Sequence, residues 1–148
     1  MVGVYNGFSG TERMKAYRFL MAEVSEGRRS LPTRCDSCLA ENCLIQPHSE
    51  DYSIPYGANV GRWGLCYRCH MILHCRFSNP HAWVNYCSVL KSGRRFDPFQ
   101  KQSWGQFVAQ HLGARCTAPI VVVDLSSPLP GFSRLLTEGL AVAAREPL

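Results

Sequence analysis

Apolar residues Met14, Tyr17, Leu20, Met21 and Val24 recur at steps of three and four, the spacing that gathers side chains on one face of a helix. An amphipathic helix is therefore predicted over residues 11–24, with Thr11 placed to cap it and Gly27 to end it. Gly27-Arg28-Arg29-Ser30-Leu31-Pro32 reads as a basic connector, a solvated turn with the option of touching phosphate. Leu44-Ile45-Gln46 is a short apolar run that ends at Pro47-His48, so a strand is expected there. A turn-rich stretch with Tyr52, Pro55, Tyr56 and Gly57 follows as loop. A second short strand around residues 63–65 delivers the chain to Cys66, and a helix through Met71, Leu73 and Phe77 is expected to run until Asn79-Pro80 stops it.

Beyond that point another helix is predicted over residues 81–90, ending before Ser92-Gly93, and Arg94-Arg95 reads as a basic turn. A helical segment over residues 104–112 has Phe107, Val108 and Leu112 as its expected buried face. The β-branched run at residues 119–123 is strand-like, residues 126–131 form a turn cluster, and residues 132–144 suit a final helix. Mixed short strands and helices make the expected class α+β. No segment repeats apart from a paired cysteine motif.

Length changes this picture little: 148 residues with 46% apolar content suit a single domain spanning 1–148, small enough that a metal staple would help it fold. Charge adds a hint, since 16 Lys and Arg against 11 Asp and Glu give a net +5, which suits a polyanionic partner without demanding one. Residues 1–10 carry no basic stretch followed by an apolar run, and no apolar run approaches the length of a bilayer span, so a cytoplasmic protein without a membrane partner is expected. In a reducing compartment, eight cysteines point to metal binding before disulfides.

Cys35-Asp36-Ser37-Cys38 and Cys66-Tyr67-Arg68-Cys69 are two Cys-x-x-Cys knuckles, a spacing that lets two thiolates of one turn meet a single tetrahedral zinc. Two knuckles complete four ligands, and the residues between them leave room for a hairpin inside the clasp. Cys43, Cys75, Cys87 and Cys116 show no such pairing and read as buried thiols, with Cys43 a substitute ligand. Cys66-Tyr67-Arg68-Cys69-His70 also fits the attachment motif of c-type haem, but that chemistry needs export and would leave Cys35 and Cys38 without a role. A thioredoxin-like redox pair would not need a second knuckle. Three histidines lie close to the clasp: His48 follows the first strand, while His70 and His74, four apart, share one helix face.

Cys35-x-x-Cys38, Ile45-Gln46-Pro47-His48 and Gly64-Leu65-Cys66-x-x-Cys69-His70 come in an order that resembles the HNH nucleases. These ββα-metal finger proteins include members clamped by two such knuckles, and the resemblance covers residues 34–77. It implies a zinc-stapled ββα-metal, treble-clef-like finger over residues 31–95. Residues 1–30 would then be an N-terminal helix with its connector, and residues 96–148 a helical and strand extension. These flanks would pack on the finger, set substrate choice or make a homodimer interface. Proline stands before His48 where family members often have Asp or His, so the resemblance would need Glu50 or Asp51 to replace that metal-binding partner.

What the resemblance implies for function is a metal-dependent endonuclease that hydrolyses phosphodiester bonds of DNA. His48 would be general base, Asn59 the family's middle asparagine, and His70 or His74 would hold Mg2+ or another divalent ion with Glu50 or Asp51. The Zn2+ of the four cysteines would be structural. Arg62, Arg68, Arg76, Arg94 and Arg95 are the expected nucleic-acid contacts. The competing expectation, from another class, is a non-catalytic zinc-finger module that binds nucleic acid or protein, with its histidines apart, buried or consumed as zinc ligands.

Overall fold

A computed structural model describes residues 2–96, 104–112 and 120–122. The chain is α+β, as its pattern implied. Helix α1 spans Gly10–Ser25. Strands β1, Ile45–His48, and β2, Trp63–Cys66, pair antiparallel and run directly into helix α2, Tyr67–His74. Helix α3, Pro80–Lys91, and strand β3, Arg94–Phe96, follow. A short helix α4, Trp104–Phe107, continues as one π-helical turn at Val108–Leu112, and strand β4, Ile120–Val122, pairs antiparallel with β3.

Local chemistry explains the boundaries. Ser9, not Thr11, caps α1: Glu12 N–H donates to Ser9 Oγ at 3.2 Å and Glu12 Oε2 accepts from Ser9 N–H at 2.7 Å. This reciprocal box needs a glutamate three residues after the cap, which Ser9 has and Thr11 lacks. Gly27 takes φ +75°, the left-handed conformation that closes a helix at low cost to glycine. The buried face of α1 is Ala16 and Leu20, packed on Val60, while Tyr17 is half exposed. The three- and four-residue spacing therefore found the helix and most of its face: Leu20 is buried and Val24 packs on the same cluster, while Ala16 is the interior residue it left out and Tyr17 the exposed one it included.

Helix α2 ends at His74 rather than reaching Phe77, which is exposed. Asn79 does not stop it but opens α3, its Oδ1 accepting from Ala82 N–H at 3.1 Å with Pro80 in the first turn. Arg94-Arg95 lies in β3, not in a turn, since the strand-like run downstream supplies its partner: Arg94 faces Val122 and Phe96 faces Ile120 in register. Of the expected buried face near the π-turn, Phe107 is buried, and His111 is the other interior residue; Val108 and Leu112 are part-buried. The turn cluster at 126–131, the helix at 132–144 and Cys116 lie outside the described residues.

Two cores result. The larger one surrounds the four knuckle cysteines with Trp63, Leu65, Ile72, Leu73, Tyr86 and Leu90. The smaller, Ala16, Leu20 and Val60, pins the 49–62 loop beneath α1. Gly64 joins the first knuckle to β2. A Cβ there would lie 2.5 Å from Pro32 Cβ and 2.9 Å from the Arg34 carbonyl oxygen, so only glycine lets the loop at 32–36 approach β2. Asp36 fixes this approach, its N–H donating to the Gly64 carbonyl and its Oδ2 accepting from Gly64 N–H, both at 2.7 Å. Among the described residues no helix is long and apolar enough to cross a membrane.

Candidate metal centres

Cys35 and Cys38 sit in the loop before β1, while Cys66 ends β2 and Cys69 lies in the first turn of α2. Pairing β2 with the Asp36 loop brings the two knuckles together. All four thiols are buried, and their sulfurs lie within 4.8 Å of one another. A zinc with bonds of about 2.3 Å sets its tetrahedron edge at about 3.8 Å. Cys38 and Cys66 sulfurs stand 3.8 Å apart. This set can hold a metal such as zinc, closed on all sides by protein. Burial opposes ionisation of Cys35, but sulfur contacts with Cys38, Cys66 and Cys69 outweigh it and draw its thiol well below the ordinary range. The same contacts push Cys66 and Cys69 up, so a cation among them would replace their protons. Cys43 is not part of this cluster and remains a part-buried free thiol.

On the other side of the hairpin, His48 from β1 meets His70 and His74 from α2, one ligand-capable nitrogen of each within 4.8 Å of the others. The β1 alternation puts Gln46 and His48 on the same face, over α2. His70 and His74, one turn apart, approach through their Nε2 atoms at 3.0 Å. Gln46 Oε1 lies 2.8 Å from His70 Nδ1, and an amide oxygen only accepts, so the proton of His70 sits on Nδ1 and its Nε2 keeps a lone pair. Glu50 Oε1, 2.6 Å from His48 Nε2, fixes that ring likewise and leaves the lone pair on Nδ1. Burial lowers all three imidazoles, His70 to about 3 and His74 to about 2, so they are neutral at physiological pH.

Glu50 is the hub of a buried network. Tyr5 Oη donates to it at 2.7 Å, Asn6 Nδ2 donates to both its carboxylate and its carbonyl, and Arg76 Nη2 pairs with Oε2 at 2.9 Å. Burial works against its charge, yet His48, Arg76 and Tyr5 hold its carboxyl down at about 2. With its oxygens so committed, Glu50 orients His48 and is not a free metal ligand. Asp51 is not in the histidine cluster; its Oδ1 accepts from Ser53 N–H at 2.8 Å in a turn. Asn59 is a loop fastener, its side chain bonded to Gly57 N–H and to the carbonyls of Ser53 and Asp51.

The five arginines separate. Arg62 is exposed with its guanidinium over Trp63. Arg94 and Arg95 are part-buried, bonded to Ser92 Oγ and the Cys38 carbonyl. Arg68 is interior, donating to Gln110 and lying over Phe96, and Arg76 belongs to the Glu50 network. Neither of these two is placed as a surface phosphate contact. Burial of the aliphatic stem and pairing of the head are tertiary facts that a basic count cannot see.

Sequence reasoning missed Tyr5, Asn6, Gln46 and Arg13. Tyr5 stacks on His74 at 4.2 Å and meets His48 edge-on at 5.7 Å. Its signal was present: Asn6-Gly7, with φ of 50° and 75°, is the turn dipeptide that pairs Tyr5 with Phe8. No signal marked Gln46 beyond its place two residues before His48. A pocket of about 290 Å³ opens between α1 and β1, with Arg13, Met14 and Tyr17 on one wall and Gln46, His48 and His70 on the other. No family model matches this chain, and no curated protein or solved structure matches it either.

Proposed function

We propose that this protein is a metal-dependent endonuclease of HNH type that hydrolyses phosphodiester bonds of DNA, its finger clamped by a structural zinc on Cys35, Cys38, Cys66 and Cys69. The observation that carries this reading is the convergence of His48, His70 and His74 beside a pocket, on a β-hairpin and helix braced by the cysteine cluster. His70 and His74 would supply two imidazole donors and leave the remaining positions of an ion open to water and substrate, while His48 keeps its lone pair for proton transfer.

His70 Nε2 and His74 Nε2 would hold a divalent ion once the proton between them is displaced. Two imidazoles with no carboxylate suit a transition metal better than the Mg2+ that the resemblance implies, and such an ion would supply Lewis acidity toward the phosphate and the departing oxygen. His48 Nδ1 accepts a proton from water as the water oxygen bonds to phosphorus and the P–O ester bond breaks. Glu50 supports this by holding the Nε2–H and stabilising the imidazolium that forms. Burial keeps His48 unprotonated beforehand, as a base requires.

The test is nicking of supercoiled plasmid by zinc-loaded protein with Mg2+ or Mn2+, beside His48→Ala. Cleavage reduced roughly 100-fold or more in the variant, with zinc retained, is the expected result for loss of a general base. Wild-type protein that leaves DNA and structured RNA intact across several divalent ions would favour the zinc-finger binding module instead.

A further inference from the structure

Beside the histidine cluster, the pocket between α1 and β1 carries a charge that the reaction above does not use. Among the described residues that line it, Arg13 is the one with a formal charge; the others are apolar side chains, hydroxyls, Gln46 and two histidines. Arg13 forms no ion pair among the described residues. Its Nη1 donates to the Gly3 carbonyl at 2.6 Å, and its guanidinium lies 5.3 Å from the centre of the Tyr5 ring and 5.5 Å from that of Tyr52. These contacts fix the plane of the fork. Arg13 Nε has no hydrogen-bond acceptor but is closed off from the pocket, so the terminal nitrogens are the donors a ligand would meet. The nearest buried carboxylate, Glu50, is already balanced by Arg76 and bonded to His48.

We infer that this pocket seats one nucleotide unit of a polynucleotide, its phosphate held by Arg13 opposite His48 and His70 and its sugar and base against the apolar wall of Met14, Tyr17 and Leu20. This rests on the hydrolase reading for the identity of the polymer, while the anion site itself stands on the pocket. A planar guanidinium with donors to offer suits phosphate oxygens, and a cation held on aromatic faces is not drawn away by a neighbouring carboxylate. A volume of about 290 Å³ exceeds what bare phosphate needs, and the lining beyond Arg13 and the histidines is mostly apolar. Helix α1 would thus be part of the substrate site, supplying from outside the finger a contact that the finger's own Arg68 and Arg76 are not placed to make.

The experiment is calorimetric titration of the zinc-loaded full chain, without added divalent ion, using inorganic phosphate and thymidine 5′-monophosphate as probes. Arg13→Gln should weaken both by roughly tenfold or more, the ordinary worth of a charged hydrogen bond. Tyr17→Glu, at a half-exposed position on the pocket wall, should weaken both by repulsion while leaving the melting temperature unchanged, which guards against a folding defect in the first variant. The monophosphate should bind more tightly than phosphate; equal affinities would overturn the nucleotide assignment. Phosphate binding unaffected by both substitutions, or absent in wild type at millimolar probe, would overturn the site. Loss of binding in Arg13→Gln with plasmid uncut by wild type would sink the hydrolase reading and leave this site standing. Plasmid cut by Arg13→Gln with wild-type KM would do the reverse.

Discussion

Gln46 Oε1 and His70 Nδ1 lie 2.8 Å apart across the hairpin–helix junction, so a strand residue dictates which nitrogen of a helix histidine is free to bind metal. Replacing Gln46 with leucine removes the acceptor and lets the ring change tautomer or turn. Affinity of the histidine cluster for a divalent ion should fall roughly 10- to 100-fold, as it does when such supporting partners are lost. Cobalt absorption titrations check this, with the thiolate bands of the four-cysteine site serving as the internal control that should not move.

Glu50→Gln should cost about 3 kcal/mol of folding stability, because Arg76 is then left buried without its counter-charge. Urea unfolding of wild type and variant measures the difference. A change of a few tenths would mean that Tyr5 and Asn6, not the carboxylate charge, carry the network.

Stability should decline as pH falls from about 6.5. The sign follows from His70 and His74, whose folded values of about 3 and about 2 lie below the ordinary 6.5. The unfolded chain then takes up protons first, so their contribution is complete above pH 6.5 and is lost on the way down to the folded values. Each neutral histidine should contribute a slope of up to about 1.4 kcal/mol per pH unit in that window. Glu50, held at about 2 against 4.5, adds a further loss below pH 4.5. Urea midpoints from pH 7.5 to 5.5 test the first part, and His74→Gln should flatten the slope.

Zinc removal should unfold the hairpin and its helices rather than loosen a surface loop, because the four sulfurs sit inside the larger core. Metal analysis should find about one tightly held zinc per chain. Cys66→Ser or a strong chelator should abolish it, and circular dichroism should show loss of the α2 and α3 signal. A variant that keeps a native spectrum without zinc would show that packing of Trp63, Leu65 and Leu90 suffices.

Much of the hairpin, its following helices and the cysteine cluster was legible because their signals are local. Cys-x-x-Cys spacing is set within one turn, strands next to turn residues announce themselves, and β1, β2, α2 and α3 appear within a few residues of their expected places. Less legible were features that depend on a partner distant in sequence. The α1 face turned on what Val60 needed, β3 needed β4 to become a strand, and the carboxylate Glu50 acquired its orienting role only when Arg76, Tyr5 and Asn6 closed around it.

By itself the sequence determined the two cysteine knuckles, the α+β class and the histidine pair on one helix face, since each follows from spacing within a single element. Only the tertiary structure decided that His48 joins that pair, that Gln46 and Glu50 set the histidine tautomers, and that Arg13 faces the site while Arg68 and Arg76 are turned inward. Charge and hydrogen-bonding capacity are written in residue types, but whether a group is free to act depends on which partners three-dimensional packing brings within about 3 Å of it.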